Sequence, residues 1–523
     1  MPSWPPDVFA IAASLLQKSG AYNYVVRNWP PKPLDEWVKE MQQLGLQWRQ
    51  NWAYSSLAPD AVQSWWKAIL ANQHSTISDI RDNKPLCEAL IALCAAADEA
   101  SSGFGVIPGE KLRKLRKESG EPDDVTRKIT RSVNRALELD RTVMGSTLCK
   151  QIHPSRLRVL PKLHVPQSGL NIRSFSRNLA LSNSDEIRPE WISVPVDEPV
   201  SESSFNLLLL PWPRVVKPKQ FKAVPAATGT VAGQHMPSGF GFFTYEPEDQ
   251  FPVEVVVKAI QKARDLVGSV GAVVLPELAV PFRWHEELRN KVLGENAFLI
   301  AGVAKDAESP GGPGDNVVDF SALSELSRPV DYEQSKHHRW KLDKSQIIQY
   351  GLGANLDPHK LWWEHIRISG RKLNFMAISE WLTLAVLICE DLARPDPVGD
   401  MVRAVGPNLV IALLMDGPQL TSRWSSRYAT VLADDPGCSV LSLSCHGMTK
   451  LSRPPNVASR PNVVAIWKDA KSGSPIEIDI GPDDMGVVLC LSAQYLEEFT
   501  ADSRSDRCTT GYPILAGIHP IRV

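Results

Sequence analysis

The feature that most constrains the fold is a series of short apolar runs that alternate with amphipathic stretches after about residue 150. Residues 207–210 and 409–414 are continuous apolar runs of strand length. Between such runs, residues 253–267 and 419–434 space their apolar side chains as a helix does. Strands that alternate with helices along a chain assemble into a sheet with helices packed on it, so this region predicts an α/β fold. The most apolar runs predict strands that are covered on both faces.

The predicted elements of this region follow from the same periodicities. Strands are predicted at residues 205–210, 271–275, 298–303, 381–388, 409–414, 439–443 and 485–491. Helices are predicted at residues 253–267, 284–293, 399–405 and 419–434. Stretches rich in Gly, Ser and Pro at 226–242 and 309–316 predict surface loops.

The first 150 residues show helical periodicity and little strand signal. Leu34, Trp37, Met41 and Leu44 recur at intervals of three and four, and acidic residues precede them in the first turn. Helices are predicted at residues 7–18, 33–44, 59–72, 86–100 and 123–149. We therefore predict an all-helical N-terminal domain at 1–150 for docking or sensing, a connecting segment at 151–200, and a main domain at 201–523. The basic run 111–117 is interpreted as a solvated helix face or loop.

Composition excludes several classes of protein. The 523 residues carry 57 basic and 59 acidic side chains, a formal charge of −2, so a dedicated nucleic-acid binder is not expected. No apolar run approaches the roughly 20 residues that span a bilayer. The eight cysteines are scattered without a Cys-x-x-Cys pair, a usage typical of reduced thiols in the cytoplasm. No metal-binding spacing is present, so neither a metal nor another cofactor is expected.

Three reactive residues stand in distinctive settings. Glu277 and Cys389 each follow an apolar run, in Leu275-Pro276-Glu277-Leu278 and in Ile388-Cys389-Glu390-Asp391, and Lys336 lies between them in a more polar stretch. In α/β folds, residues at the carboxyl ends of strands converge in space although they are distant in sequence. Where an acid, an ammonium and a thiol meet, the acid can take the thiol proton and the thiolate can attack a carbonyl carbon. The ammonium can then stabilise the oxyanion that forms.

The order Glu-Lys-Cys and the flanking motifs resemble the carbon–nitrogen hydrolase (nitrilase) superfamily. The resemblance covers roughly residues 200–495 and is most specific at Ile-Cys-x-Asp, which is followed by Arg394-Pro395. It implies a nitrilase-like αββα sandwich behind the helical N-terminal domain. It also implies a cysteine-dependent amidase- or nitrilase-type hydrolase, which cleaves a small non-peptide amide, carbamoyl or related carbon–nitrogen bond through a thioester.

By this resemblance Glu277 is the general base, Lys336 the oxyanion-stabilising lysine and Cys389 the nucleophile. Asn316 precedes Lys336 by 336 − 316 = 20 residues, as in family members, which favours Lys336; Lys341 and Lys344 remain alternatives. Many members carry a second Glu shortly after the lysine. In this chain residues 345–353 contain no acid; Asp343 lies just before this stretch, on a shorter side chain, and the next acids are Asp357 and Glu364.

The resemblance also yields candidates for substrate binding. The backbone N–H of Glu390 would hold the oxyanion together with Lys336. Arg394 would bind a substrate carboxylate or form a structural ion pair, and Trp424 would line the pocket or pack in the core. A homo-oligomer is expected, with a possible protein partner for the helical domain.

The alternative function is a nitrilase-like binding or assembly module whose catalysis is weak or lost. The missing second Glu and the extra helical block motivate it. In addition, residues 156–181 resemble the segment that leads into nitrilase modules found with bacterial antiphage reverse transcriptases, which extends this alternative to a role in antiviral defence.

Overall fold

The computed structural model divides into a helical part and a larger, sheet-rich part. It describes residues 1–54, 57–102, 147–153, 155–165, 169–182, 184, 186–194, 203–225, 237–309, 311–323, 328–368, 370–379, 381–453, 462–471, 473–505, 508 and 510–523. The basic run 111–117 and most of the helix predicted at 123–149 lie outside these residues. None of the helices in the described ranges combines the length and apolar character needed to cross a bilayer.

The helical part begins at the N-terminus. Its helices are α1 (Pro5–Ser19), α2 (Val25–Asn28), α3 (Leu34–Tyr54), α4 (Asp60–Ala71), α5 (Lys84–Ala100) and α6 (Leu148–Gln151). Helix α5 is buried along almost its whole length and packs against α1, α3 and α4. Trp37, Met41 and Trp48 of α3 enter this core, so the apolar periodicity of the sequence does mark a buried helix face.

The remaining helices are α7 (Val253–Val267), α8 (Phe282–Gly294), α9 (Lys344–Gln349), α10 (Asp400–Val405), α11 (Trp424–Asp434) and α12 (His446–Leu451). The strands are β1 (Arg158–Pro161), β2 (Leu179–Ser182), β3 (Arg188–Ser193), β4 (Ser204–Leu209), β5 (Phe221–Ala223), β6 (Phe240–Tyr245), β7 (Ala272–Pro281), β8 (Phe298–Lys305), β9 (Asp315–Leu323), β10 (Pro329–Ser335), β11 (Lys341–Leu342), β12 (Leu361–Glu364), β13 (Lys372–Ala377), β14 (Thr383–Ile388), β15 (Leu409–Leu414), β16 (Ser439–Ser444), β17 (Asn462–Lys468), β18 (Ile476–Ile480), β19 (Gly486–Tyr495) and β20 (Gly511–Ile521).

Two seven-stranded sheets form the centre of the molecule. Their strand orders are β10-β9-β8-β7-β4-β19-β20 and β18-β17-β16-β15-β14-β13-β3. Side chains of both sheets share one large apolar core, while α7 and α8 cover the outer face of the first sheet and α10 and α11 pack on the second. The predicted α/β fold with an αββα layer order and N-terminal helices is confirmed.

Strand β4 illustrates why the most apolar runs are strands. Leu207 and Leu209 point into the core between the sheets, whereas Leu208 and Leu210 pack beneath the outer helices. Alternate side chains of a strand point to opposite faces, so a strand covered on both sides must be apolar throughout. The prediction of strands covered on both faces is confirmed.

Several strands were not predicted, and their residues explain why. β10 contains Asp331, Tyr332, Glu333 and Gln334 and lies at the edge of its sheet, where one side of the ladder faces solvent. The predicted loop 309–316 overlaps the start of β9, and the predicted loop 226–242 overlaps β6; residues 226–236 lie outside the described part. Polar edge strands and short aromatic strands lack the apolar alternation on which the predictions depended.

The segment predicted to connect the two parts contributes to both. β1 and β2 pair with each other, and Leu157, Val159 and Leu179 join the core of the helical part. β3 pairs in parallel with β13 at the edge of the second sheet. The chain between the helices and the sandwich is therefore folded against each of them.

Candidate active site

Glu277 lies within β7, not after it as the sequence predicts. The pairing of β7 with β8 is interrupted between Leu275 and Val280, and Leu278 has a positive φ of 53°. Gly302 of β8 makes this irregularity sterically feasible, because a Cβ there would lie 2.2 Å from the Pro276 carbonyl oxygen. The backbone displacement turns the Glu277 carboxylate into the interior, where the residue is 1% exposed.

Lys336 follows the last residue of β10 and reaches the same point. Its backbone N–H donates to the Asn316 carbonyl oxygen at 2.9 Å, which fixes the end of β10 against the start of β9. Its Nζ lies 2.7 Å from Glu277 Oε1. The Lys336 side chain is completely buried, so its charge must be compensated by neighbouring groups.

Glu364, at the end of β12, is the second carboxylate of this cluster. Lys336 Nζ donates to Glu364 Oε2 at 2.6 Å. Asn316 Nδ2 lies 2.8 Å from both Glu277 Oε1 and Glu364 Oε1, so the amide and the ammonium each bridge the two acids. The backbone N–H of Trp340 also donates to Glu364, at 3.0 Å. The cluster places one buried ammonium between two buried carboxylates.

The electrostatics follow from this composition. Burial raises the pKa of Glu277; Lys336 opposes the shift and Glu364 adds to it, and the pKa stays above its ordinary value. Burial alone would lower the pKa of Lys336, but the two carboxylates outweigh it and hold that pKa well above its usual range. Glu277 Oε2 is buried and has no hydrogen-bond partner among the described residues. An acid with a raised pKa and an unpartnered oxygen is suited to exchange a proton.

Cys389 follows β14 directly and has a strained backbone. Its φ is +48°, in the left-handed region that non-glycine residues rarely adopt, and such strain concentrates at functional sites. The residue is 3% exposed. Burial raises the pKa of its thiol well above the usual value; the Glu277 carboxylate raises it further and Lys336 lowers it. The thiol, the carboxylate and the ammonium therefore share one buried region.

Asp391 connects the turn that begins at Cys389 to the Lys336 segment. Its carboxylate accepts the backbone N–H of His337 at 3.1 Å and pairs with His338 Nδ1 at 2.9 Å. Asp391 itself is fully buried. These bonds fix the turn at Cys389 and the segment after Lys336 relative to each other.

The three predicted substrate-binding residues lie in different surroundings. Arg394 is half exposed and its Nη2 lies 3.0 Å from Glu390 Oε2, so it forms the ion pair that was the structural alternative. Trp424 donates from Nε1 to Asp416 Oδ2 at 2.9 Å. The Asp416 carboxylate also contributes to the raised pKa of the Cys389 thiol.

Among the candidate lysines, the structure separates Lys336 from the other two. Lys341 is exposed, with its Nζ 5.8 Å from the centre of the Trp363 ring, and Lys344 is exposed at the start of α9. Glu364 is the residue that the sequence reasoning named only as one of the next acids along the chain and did not assign to the site. It lies 28 residues after Lys336, and the only signal for it was a single acid directly after the aromatic residues of β12.

A cavity of about 480 Å³ lies against this cluster. Its walls include Leu278, Phe243, Tyr245, Glu364 and His365, while Glu277, Lys336 and Cys389 are not among them. Both ring nitrogens of His365 and the hydroxyl of Tyr245 lack hydrogen-bond partners among the described residues. The cavity therefore offers polar groups beside Glu364, in a wall that is otherwise partly aromatic.

Comparisons with known proteins give matches at the level of structure only. No family model matches the chain, and no curated protein matches it. Nit3 of Saccharomyces cerevisiae, a member of the nitrilase superfamily, is similar with a TM-score of 0.34 and 13% identity, over 56% of this chain and 92% of Nit3.

Two further solved structures are similar to the same extent. An amidase from Nesterenkonia sp. has a TM-score of 0.32 at 12% identity, over 56% of this chain and 91% of its own. A carbon–nitrogen hydrolase from Helicobacter pylori has a TM-score of 0.29 at 10% identity, over 60% of this chain and 88% of its own. The solved structures similar to this chain thus include members of the superfamily that its sequence motifs resemble.

Proposed function

We propose that this chain is a thiol-dependent hydrolase of small non-peptide carbon–nitrogen bonds, in amides or carbamoyl compounds. The observation that carries the proposal is the direct contact of Lys336 with Glu277 inside the protein, together with a strained, buried Cys389 whose thiol pKa both of these charges shift. A buried acid, ammonium and thiol on three separate elements are costly to assemble for stability alone. Together they supply the groups that acyl transfer to sulfur requires.

In the proposed reaction, Glu277 accepts the Cys389 proton through its unpartnered Oε2 while Sγ attacks the carbonyl carbon of the substrate. Lys336 and the backbone N–H of Glu390 donate to the resulting oxyanion; loss of one such donor typically costs about 10²–10³ in rate. Glu277 then transfers its proton to the departing ammonia or amine, which leaves a thioester. Water, deprotonated by Glu277, attacks the thioester, and the proton returns to sulfur as the acid leaves.

The proposal is tested with ammonia release from acetamide, propionamide, butyramide and N-carbamoyl amino acids. Cys389→Ala and Glu277→Gln should reduce turnover to background, whereas Cys490→Ala, at a partly buried thiol of β19, should retain it. Mass spectrometry of the wild-type protein mixed with a turned-over amide should detect an acyl adduct on Cys389. Turnover that survives Cys389→Ala in a folded protein would overturn the proposal.

The second candidate is a binding or assembly module in which this site is chemically silent. The separate core of the helical part favours it, because that part offers a surface beyond the sandwich. Under this candidate no amide of the panel yields an adduct on Cys389, and Cys389→Ala protects bacteria against phage as well as the wild-type chain does. The expected homo-oligomer, the protein partner and the cytoplasmic location stay predictions.

A further inference from the structure

A second cluster of polar residues lies beneath helix α8, apart from the site described above. His285 of α8, Asp319 of β9 and Asp331 of β10 bring one ligand atom each within 4.8 Å of one another. Asp319 and Ser321 alternate with Val318 and Phe320, which enter the core between the sheets, so the two polar residues face the helix layer. Ser321 lies directly opposite Asp331 in the β9–β10 register.

Buried polar atoms in this cluster are left without partners. His285 and Asp319 are both 5% exposed, and Ser321 is completely buried. His285 Nε2, Asp319 Oδ1 and Ser321 Oγ have no hydrogen-bond partner among the described residues. Such atoms cost free energy unless another group satisfies them.

The geometry of the His285–Asp319 contact is informative. His285 Nε2 lies 3.0 Å from Asp319 Oδ2, yet the pair does not meet the angular requirement of a hydrogen bond. Adjacent ligand atoms around an ion with bonds of about 2.1 Å are separated by about 3 Å, and they point at the ion and not at each other. His285 Nε2 and Asp319 Oδ2 have the separation expected of two ligands of one ion, and they are not aligned for a hydrogen bond with each other.

We propose that His285, Asp319 and Asp331 bind a divalent transition-metal ion of the Mn²⁺ or Zn²⁺ class. One imidazole nitrogen with two carboxylates is a donor set that suits these ions better than Ca²⁺ or Mg²⁺, which prefer oxygen ligands alone. The sequence shows no metal-binding spacing because the three ligands come from a helix and two strands. Tertiary contact alone brings them together.

Arg289 is the group that competes with the ion. It lies four residues after His285 on α8, and its Nη1 donates to Asp331 Oδ2 at 2.5 Å. The guanidinium therefore holds one oxygen of Asp331, and the ion would use the other oxygen. The same arginine also orients Asp331 toward the helix in the absence of an ion.

A metal ion here would fasten α8 to the strands that carry the proposed catalytic cluster. Asp319 follows Asn316 by three residues on β9, about 10 Å along the strand, and Asp331 precedes Lys336 by five residues, about 16 Å. The ion is thus too far away to touch the reacting atoms. Its role would be to hold β9 and β10 in register, and this proposal does not depend on amide hydrolysis.

The test uses the full chain, stripped with EDTA and dialysed, with Mn²⁺ as the probe because thiols compete for Zn²⁺ more strongly. Equilibrium dialysis should find one equivalent of Mn²⁺ bound to the wild-type protein. Asp319→Asn and His285→Gln should weaken binding at least tenfold. Glu286→Gln, which removes an exposed acid from the same helix turn, should bind as the wild type does.

Asp331→Asn provides a variant that should remain folded, because Asp331 is partly exposed on an edge strand. It too should lose the bound equivalent, and Mn²⁺ should raise the Tm of the wild-type protein without raising that of Asp331→Asn. No bound Mn²⁺ in the wild-type protein would overturn the proposal. Binding in Asp331→Asn equal to that of the wild type would also overturn it.

Discussion

Glu364 shows how a single residue changes the electrostatics of the candidate site. Its carboxylate lies 2.6 Å from Lys336 Nζ, and Glu364 and Glu277 both accept hydrogen bonds from the same ammonium and the same amide. The negative charge of Glu364 contributes to the raised pKa of Glu277. In the proposed reaction a base with a raised pKa accepts a proton more readily, so we expect Glu364 to tune Glu277 as the base.

Glu364→Gln should therefore shift the pH dependence of turnover as well as its rate. The neutral amide removes a charge that raises the pKa of Glu277, so that pKa falls. Activity requires the deprotonated base, and the acidic limb of the kcat/KM profile should move to lower pH. The weaker base and the less firmly held Lys336 should reduce kcat by about tenfold or more.

The measurement is a kcat/KM profile across pH with the best amide of the panel. Asp357→Asn, at an exposed acid seven residues earlier in the chain, is the matched control and should leave the profile unchanged. A Glu364→Gln profile that superimposes on that of the wild type would contradict the role assigned to Glu364.

At the scale of elements, the site depends on the irregular pairing of β7 with β8. Pro276 and Glu277 interrupt the ladder, and Gly302 leaves room for the displaced backbone. In a regular strand the side chains of β7 would alternate strictly between the two faces of the sheet. The irregularity is what turns the Glu277 carboxylate toward Lys336.

Gly302→Ala should damage both stability and activity. Its Cβ would lie 2.2 Å from the Pro276 oxygen and 2.5 Å from Glu277 Cα, and these are backbone atoms that cannot rotate away. We expect a loss of about 1–3 kcal/mol in the free energy of unfolding, as for other overpacked sites. Turnover should fall as well, because the added Cβ would force the backbone of Glu277 to shift.

Urea denaturation and the ammonia assay measure the two effects. Gly294→Ala, at the end of α8, is the control because its Cβ would meet no atom within 4 Å. That substitution should be neutral or slightly stabilising. Equal stability of the two glycine variants would contradict the close contact between Gly302 and the backbone of β7.

At the scale of the whole molecule, Arg504 joins the helical part to the C-terminal region. Its guanidinium is completely buried and donates to Asp98 Oδ2 at 3.0 Å and to Glu99 Oε1 at 2.7 Å, both at the end of α5. It also donates to Asp502 at 2.8 Å and to the Phe175 carbonyl oxygen at 2.8 Å. One side chain thus connects its own stretch of the chain to two distant ones, the end of α5 and the segment around Phe175.

Arg504→Met should loosen this junction, because it removes the guanidinium that pairs with Asp98 and Asp502, while Glu99 keeps its ion pair with Arg177. Breaking a buried ion pair by removing one partner costs about 3–5 kcal/mol. We expect lower stability toward urea and faster cleavage of the helical part in limited proteolysis. Arg522→Met removes an exposed partner of Asp484 and should behave as the wild type does. An Arg504→Met protein as stable as Arg522→Met would refute the proposed junction.

The sequence by itself determined the elements with strong apolar periodicity. β15 and α7 have the predicted bounds, and the buried α5 begins within two residues of its predicted start. These elements were predictable because their apolar side chains recur with the period of a strand or of a helix. The motifs around Glu277, Lys336 and Cys389 identified the candidate residues, because reactive side chains beside apolar runs are conspicuous in a sequence.

Only the tertiary structure decided which groups meet. Glu364, the free Oε2 of Glu277, the close approach of Gly302 and the Arg504 junction all depend on contacts between residues that are far apart in the chain. Contacts of this kind follow from the packing of sheets and helices and not from local periodicity, so no spacing in the sequence encodes them. The same holds for His285, Asp319 and Asp331, whose side chains converge only because α8 packs on β9 and β10.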